Sequence, residues 1–385
     1  MTKTVLLGDI AYITKLAGYE FTKYIKYDDE GEVIALRALN LSNGQLDLSN
    51  IKRIPKEVSD KLPRSKLRKG DILLSYTGTV GNYAYVNKDN TYHLAPNVCL
   101  VRANESCLPI FLYYLIGSPI FKNRLVENSH GSTQVTVPMK NIRNISLQIP
   151  NIDTQEKIAK FLVVIDEKIE LNRRTNETLE QMGQALFRHY FIDNPKAVMW
   201  EEKSLDDIAD FLNGLAMQKY PFVIGKPSLP VIKIREMSSG ITSITDLAAA
   251  DISTQYIVNN GDLLFSWSGT LLVKFWSGGK GALNQHLFKV TSKDYPEWLY
   301  YYWTKHHLND FIQTAKSKAT TMGHIQRGHL KDAKVRVPEE VLMSEIGRQI
   351  QPLIDRYKIN SEEIQTLTTL RDSLLPRLIS GKLVL

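Results

Sequence analysis

Lys69-Gly70-Asp71-Ile72-Leu73-Leu74-Ser75-Tyr76-Thr77-Gly78-Thr79 returns 191 positions later as Asn260-Gly261-Asp262-Leu263-Leu264-Phe265-Ser266-Trp267-Ser268-Gly269-Thr270. Other echoes keep nearly the same offset. Leu7-Gly8-Asp9-Ile10-Ala11 comes back as Leu205-Asp206-Asp207-Ile208-Ala209, and Val33-Ile34-Ala35-Leu36-Arg37 as Val231-Ile232-Lys233-Ile234-Arg235. Pro109-Ile110-Phe111-Leu112-Tyr113-Tyr114 returns as Pro296-Glu297-Trp298-Leu299-Tyr300-Tyr301. An offset near half of the 385 residues means two copies of one unit, not a solenoid of short repeats. Two diverged copies of one module suit a partner with two similar parts.

Each copy opens with a stretch punctuated by Gly, Asn, Asp and Pro and rich in short β-type runs, such as Val33–Leu36, Asp71–Ser75 and Val98–Val101. Each stretch also holds a predicted helix, Pro109–Leu125 in the first copy and Pro296–Ala315 in the second. A different pattern follows. From Asp153 to Phe191 there is no Pro and no Gly except Gly183. Ile158, Leu162, Ile165, Ile169, Leu179, Met182 and Leu186 keep the alternating three- and four-residue spacing of a coiled-coil seam. Such a helix would be about 50 Å long at a ~1.5 Å rise. The C-terminal segment repeats the pattern through Ile346, Ile350, Leu353, Tyr357, Ile364 and Leu367, with Pro352 predicting a kink or a break. Neither helix can stand alone with such a stripe, so the two are expected to pair antiparallel. Asn172 and Asn360 fall at equivalent seam positions, where a buried amide fixes register or an exposed one sits on the helix shoulder.

These readings give an α+β protein with two similar mixed α/β domains, residues 1–150 and 194–338. Two long antiparallel coiled-coil helices, 151–193 and 339–385, join them with approximate twofold symmetry. About 50 Å corresponds to about 15 base pairs at ~3.4 Å each, so two half-sites could be met together.

The formal net charge is +7, and its distribution matters more than its size. Residues 1–150 hold 19 basic against 13 acidic side chains and residues 194–338 hold 17 against 13, whereas 151–193 hold 6 against 8 and 339–385 hold 6 against 7. The positive excess belongs to the repeated domains, where it either attracts a phosphate backbone or is the basic balance common among bacterial proteins. Lys52–Lys69 carries eight Lys/Arg against Glu57 and Asp60, and Lys305–Arg336 carries seven with four His against two Asp. Each run is a phosphate-contacting surface or a solvated charged loop.

No catalytic constellation stands out. There is no phosphate-binding Gly-x4-Gly-Lys-Ser/Thr loop, no Gly-x-Gly-x-x-Gly after a strand and no His-Glu-x-x-His. Asp193-Asn194-Pro195 matches the start of an amino-methyltransferase motif, but Lys196 and Ala197 replace the second Pro and the aromatic. Two cysteines, Cys99 and Cys107, make neither a disulfide framework nor a four-ligand zinc site, which fits a reducing cytoplasm. No run of about 18 apolar residues predicts a membrane span.

The order and spacing of these blocks resemble the DNA-specificity subunit of type I restriction–modification systems. The resemblance rests on the repeated Gly-Asp-x-Leu-x-Ser-x-x-Gly-Thr block and on Gly131-Ser132-Thr133-Gln134 leading to Ile149-Pro150. It rests also on Thr320-Thr321-Met322-Gly323-His324-Ile325 leading to Val337-Pro338, on Leu171–Leu179 and Gln184–Phe187, and on Leu370–Gly381. It implies a non-catalytic protein with two target-recognition domains, each reading one half of a bipartite, asymmetric site in double-stranded DNA. It further implies helices that set the gap and dock two methyltransferase subunits, with motor-nuclease subunits completing the complex. S-adenosylmethionine, ATP and Mg²⁺ would belong to those partners, not to this chain. The candidate DNA contacts are Arg37, Ser75, Tyr76, Thr133, Gln134 and Lys140 in the first copy, and Arg235, Trp267, Thr321, His324, Gln326 and Arg327 in the second. Arg37 and Arg235 have an alternative role as structural ion-pair residues. A shared structural role is favoured for the repeated block, with specificity expected where the copies differ. The competing function is a stand-alone bipartite DNA-binding regulator.

Overall fold

The computed structural model describes residues 2–42, 44–130, 135–317 and 323–383. Two compact units emerge, residues 1–167 with 368–385, and residues 168–367.

The first unit is built on an antiparallel sheet in the strand order Ala11–Lys15, Val98–Ala103, Ile72–Ser75, Tyr83–Tyr85. Every residue of Ile72–Ser75 is buried, because both faces of this strand are covered. The alternation of side chains sends Ile72 and Leu74 to one core with Phe111 and Leu112, and Leu73 to another with Leu36 and Leu94. A second sheet, Lys52–Ile54, Val33–Leu36, Tyr92–Leu94, contains one parallel pairing, Val33–Leu36 beside Tyr92–Leu94.

The second unit repeats this arrangement. Its four strands run in the order Asp210–Asn213, Leu287–Thr291, Leu263–Ser266, Val273–Phe275. The strand Ser228–Ile232 is parallel to Gly281–Leu283 and antiparallel to Leu247–Ala249. The Leu-Gly-Asp-Ile echo opens both units as a short helix, Leu7–Ile10 and Leu205–Ile208, for a local reason. The third-position carboxylate reaches back to the backbone before the helix: Leu6 N donates to Asp9 Oδ2 at 3.1 Å, and Ser204 N to Asp207 Oδ2 at 2.8 Å.

Two helix expectations need correction. The stretch expected as one helix over Pro109–Leu125 is split into Pro109–Gly117 and Pro119–Glu127. Pro119 has no N–H to continue the first helix, and Ser118 Oγ accepts from Phe121 N at 3.2 Å to start the second. The other copy lacks this proline and runs unbroken over Glu297–Ser317. Of the kink or break expected at Pro352, the break is absent: the helix is continuous from Glu340 to Ile379. Pro352 lies on the exposed side, while Ile346, Ile350 and Ile354 are buried around it. Three buried isoleucines at about 1.5–3 kcal/mol each outweigh a proline cost of about 3 kcal/mol.

The central helix is Ile152–Phe187, ended by a wide turn in which Asp193 N donates to Arg188 O at 2.8 Å. Its first part and the end of the C-terminal helix belong to the first unit, where Ile158 and Leu162 join Leu375, Leu378 and Ile379 in one core. There Asp166 Oδ2 accepts from the Tyr114 hydroxyl and Oδ1 from Arg371 Nη1, both at 2.7 Å. Burial and the neighbouring Asp166 carboxylate push the Tyr114 hydroxyl well above its ordinary range. Ile165 is also buried.

In the second unit Ile169, Asn172, Ile346, Ile350 and Asn360 are buried, whereas Leu179, Leu353, Tyr357, Ile364 and Leu367 are half-buried. The seam amides are connected antiparallel. Asn172 Nδ2 donates to Glu363 Oε2 at 2.8 Å, and Asn360 Nδ2 donates to Asn176 Oδ1 at 2.9 Å. Asn176 Nδ2 in turn reaches Ser361 Oγ and the Tyr357 carbonyl. The buried-amide alternative therefore holds for both asparagines, with Asn176 as an unforeseen third member. Gly183 is glycine because a Cβ there would meet the Tyr302 hydroxyl at 1.8 Å.

Candidate nucleic-acid interface

The repeated block is a strand bracketed by two left-handed glycines. Gly70 and Gly261 have φ of +96° and +85°, and Gly78 and Gly269 have φ of +80° and +67°. Asp71 accepts the Arg68 backbone N–H and takes a bidentate pair from Arg102, Nε at 2.6 Å and Nη2 at 2.7 Å. In the second unit Asp262 accepts Asn259 N and pairs with Lys289, both at 2.7 Å. The aspartate thus caps the turn and ties it to the neighbouring strand through a cation that differs between the copies.

Ser75 and Ser266 are fully buried and hold the outgoing turn. Ser75 Oγ donates to the Thr79 carbonyl, and Ser266 Oγ to the Thr270 carbonyl at 2.6 Å. Ser75 is therefore a framework residue and presents no hydroxyl to a ligand, which corrects its assignment as a contact.

Beyond the serine, three segments converge in each unit. Tyr76 N donates to Asn97 O at 3.1 Å, while Val137 N donates to Tyr76 O at 2.8 Å. The counterparts are Trp267 N to His286 O at 3.3 Å and Ile325 N to Trp267 O at 3.0 Å. Gly78 N and Gly269 N close the arrangement on the carbonyls of Val135 and Gly323. The block and the segments Val135–Val137 and Gly323–Ile325, nearly 60 residues away along the chain, thus lie side by side. Thr133, Gln134 and Thr321 lie outside the described residues; the flanking Val135–Val137 and Gly323–Ile325 do not.

The two convergence points carry different side chains. In the second unit Trp267 Nε1 donates to Asn213 Oδ1 at 2.9 Å, and the indole centroid lies 5.6 Å from His286 and 6.3 Å from His324. Arg327 donates to the Phe211 carbonyl at 3.1 Å with its guanidinium 5.9 Å from the Phe288 ring, and Gln326 is exposed beside it. In the first unit Tyr76 is nearly covered, with Lys15 Nζ 5.0 Å from its ring centroid. Arg143, not the position aligned with Arg327, donates to the Ile13 carbonyl at 2.8 Å. Lys140 is exposed on the short helix Met139–Arg143.

Arg37 and Arg235 are not brought to these points by any described contact. Arg37 Nη2 donates twice to Asn50, to its carbonyl and its Oδ1, each at 2.9 Å. Arg235 pairs with Glu236 at 2.8 Å and donates to the Ile244 carbonyl at 3.0 Å. The ion-pair alternative fits Arg235, whereas Arg37 is held by hydrogen bonds to Asn50 and not by an ion pair among the described contacts. Part of the basic run over 52–69 is paired with carboxylates. Lys56 and Lys66 both bind Asp60, holding its carboxyl down to about 2, and Arg64 lies 3.6 Å from Glu20. Lys61, Arg68 and Lys69 remain exposed.

The sequence reading missed Asn97, His286, Asn213, Lys15 and Arg143. A signal existed for the first two. Leu94-Ala95-Pro96-Asn97-Val98 is echoed by Leu283-Asn284-Gln285-His286-Leu287, and both loops supply the carbonyl that meets the aromatic of the block.

The comparisons with known proteins agree with this geometry. The family model for the type I restriction modification DNA specificity domain matches twice, over residues 2–181 and 197–369. The specificity subunit of the type I restriction enzyme MjaIX from Methanocaldococcus jannaschii is 24% identical, the match covering 98% of this chain and 87% of that one. The HindI specificity subunit from Haemophilus influenzae is 22% identical, with 99% of each covered. Among solved structures, the S subunit of a type I restriction–modification system from M. genitalium shares the fold, with a TM-score of 0.60 at 14% identity over 98% of this chain and 96% of that one. The chain belongs to the family of type I restriction–modification specificity subunits and carries two copies of its DNA specificity domain.

Proposed function

We propose that this chain is the recognition subunit that directs a type I restriction–modification complex to a bipartite, asymmetric site in double-stranded DNA. One observation carries the reading most directly. Two units share one strand order, and in each the same turn brings together the same three segments while the side chains there differ. Such a pair presents one docking frame with two sequence preferences, and basic surfaces such as Lys140, Lys61 and Lys69 supply sequence-independent phosphate attraction. Tyr76, Lys140, Trp267, His324, Gln326 and Arg327, with Thr133, Gln134 and Thr321, remain the proposed contacts.

The long helices have a second task in this proposal, docking two methyltransferase subunits. In the second unit, Leu171 and Met182 are exposed eleven residues apart on one face of the central helix, and Ile359 is exposed on the C-terminal helix. Apolar side chains at that spacing suit a helix-docking partner. Motor-nuclease subunits would complete the restricting complex. S-adenosylmethionine, ATP and Mg²⁺ are assigned to the partners. Among the described residues no helix is long and apolar enough to cross a membrane, and the proposed site of action is the cytoplasm.

Co-expression with the methyltransferase subunit of the same locus, followed by methylome sequencing, tests the proposal. Methylated adenines in one split motif with a fixed gap are expected. A stable complex that leaves host DNA without any new modified motif would refute the recognition role.

A further inference from the structure

The loop that leaves the first sheet strand of the second unit ends in an apolar tip that nothing in the fold covers. Every residue from Pro221 to Pro227 is exposed, and Ile224 is 90% exposed, with Phe222 and Val223 beside it. The bridge between Pro221 and Ala248 sets Phe222 opposite Leu247, itself exposed. A lone surface leucine needs no explanation, but a contiguous cluster of this kind does.

The tip is held firmly. Ala249 N donates to Tyr220 O at 3.0 Å and Ala250 N to Pro227 O at 3.1 Å, so the two feet are stapled to opposite edges of one strand. Lys226 N closes on Val223 O at 3.1 Å around Gly225, whose φ is +82°. A pre-formed tip gives up little freedom on insertion into a partner. Along the chain between Asp210 and Glu236 there is no acidic residue, and Lys219 and Lys226 are exposed on either side of the tip; of the acids flanking the stapling strand, Asp246 is paired with Lys233 and Asp251 is exposed. The loop starts at Asn213, whose side chain accepts from the Trp267 indole, so it leaves the fold at the convergence point described above. The first unit places a different exposed residue at the same step of the fold: Tyr19, 71% exposed, follows the strand Ala11–Lys15 and is itself followed by Lys23 and Lys26.

We propose that Phe222, Val223 and Ile224 form an apolar wedge that enters a base step of duplex DNA, flanked by Lys219 and Lys226 on the phosphates. This deepens the proposed function and rests on it. Apolar side chains at a base step partly unstack it and kink the duplex, which reads deformability instead of base-edge hydrogen bonds.

The test uses the full chain in complex with its methyltransferase subunit and an end-labelled duplex carrying the site defined by methylome sequencing. Affinity, its salt dependence and the end-to-end energy transfer that reports bending are measured together. Phe222→Ala/Ile224→Ala should lower affinity about ten- to a hundred-fold and reduce the bending signal. The slope of affinity against salt should not change, because an apolar contact releases no counterions. Ile224→Leu, which keeps the apolar tip, should match the wild type. Unchanged affinity and bending in the double variant would overturn the wedge while leaving the recognition role intact. Loss of the methyltransferase subunit from the purified variant would also overturn it and assign the tip to a protein contact. A wild-type complex that does not bind duplex at all would refute the recognition role, and the wedge with it.

Discussion

The Asp71–Arg102 pair gives a sharp test of the claim that the repeated block is framework. Asp71 is 1% exposed and accepts three hydrogen bonds, two from one guanidinium at 2.6 and 2.7 Å and one from the Arg68 backbone. Asp71→Ala leaves a part-buried guanidinium and a backbone N–H without their acceptor. Breaking a buried pair from one side costs about 3–5 kcal/mol. The Arg102 side chain is 28% exposed and partly rehydrates, which places the expected loss near the lower end, about 3 kcal/mol. The second copy should lose less. Lys289 offers Asp262 one ammonium contact in place of a bidentate fork, so Asp262→Ala should cost about 2 kcal/mol.

The chain carries its own probes for the two units. All five tryptophans (Trp200, Trp267, Trp276, Trp298 and Trp303) lie in the second unit, and both cysteines, buried, lie in the first. Urea unfolding followed by thiol labelling therefore reports the first unit and tryptophan emission the second. With a slope of about 2 kcal/mol per molar urea, Asp71→Ala should move the thiol midpoint down by about 1.5 M. Asp262→Ala should move the tryptophan midpoint by about 1 M on the same basis. A thiol midpoint unmoved by Asp71→Ala would refute the reasoning, because the pair would then be a passive contact. A larger effect at Asp262 than at Asp71 would refute the ranking of the two cations.

Three further outcomes follow from the same geometry. Gly183→Ala should destabilise the second unit by about 1–3 kcal/mol, although alanine is the better helix former by about 1 kcal/mol, because the new methyl meets Tyr302; a raised tryptophan-detected midpoint would contradict this. Asn176→Leu should cost about 1–3 kcal/mol by stranding the Asn360 amide, and adding Asn360→Leu should recover part of that loss. Strict additivity of the two changes in a double-mutant cycle would show that the amides do not act as a pair. Burial pushes the Cys99 and Cys107 thiols from an ordinary value of 9.0 up to about 12, so both should resist alkylation in the native protein at pH 8 and react once urea unfolds it. Their raised values contribute stability that is complete below pH 9.0 and lost as pH rises towards about 12, since only the unfolded chain gains thiolates in that window. Substituting both cysteines by serine and finding the same alkaline loss would place its origin elsewhere.

The sequence by itself determined the duplication, the α+β class, the pair of long helices and the family. Each is written in local pattern: the echo of the Gly-Asp-x-Leu block, the seam from Ile158 to Ile169, and the order of short blocks along the chain. These features survive divergence because turns, caps and seams constrain residues near one another in sequence. What only the tertiary structure decided depends on residues far apart in the chain. Ser75 reads as a strand-end hydroxyl, yet its burial follows from both faces of its strand being covered. Arg37 reads as a DNA contact or an ion-pair residue until the loop at Asn50 returns to accept from it. Asn176 occupies the seam position between Asn172 and Leu179, but the spacing alone does not give its partner, because only the antiparallel register brings it to Asn360, 184 positions away. Pro352 looks like a helix breaker because its cost is local, whereas the isoleucines that outweigh it find their partners in a tertiary core. The apolar tip at Phe222–Ile224 stands in solvent, since burial is a property of the whole fold and hydrophobicity of the residue alone.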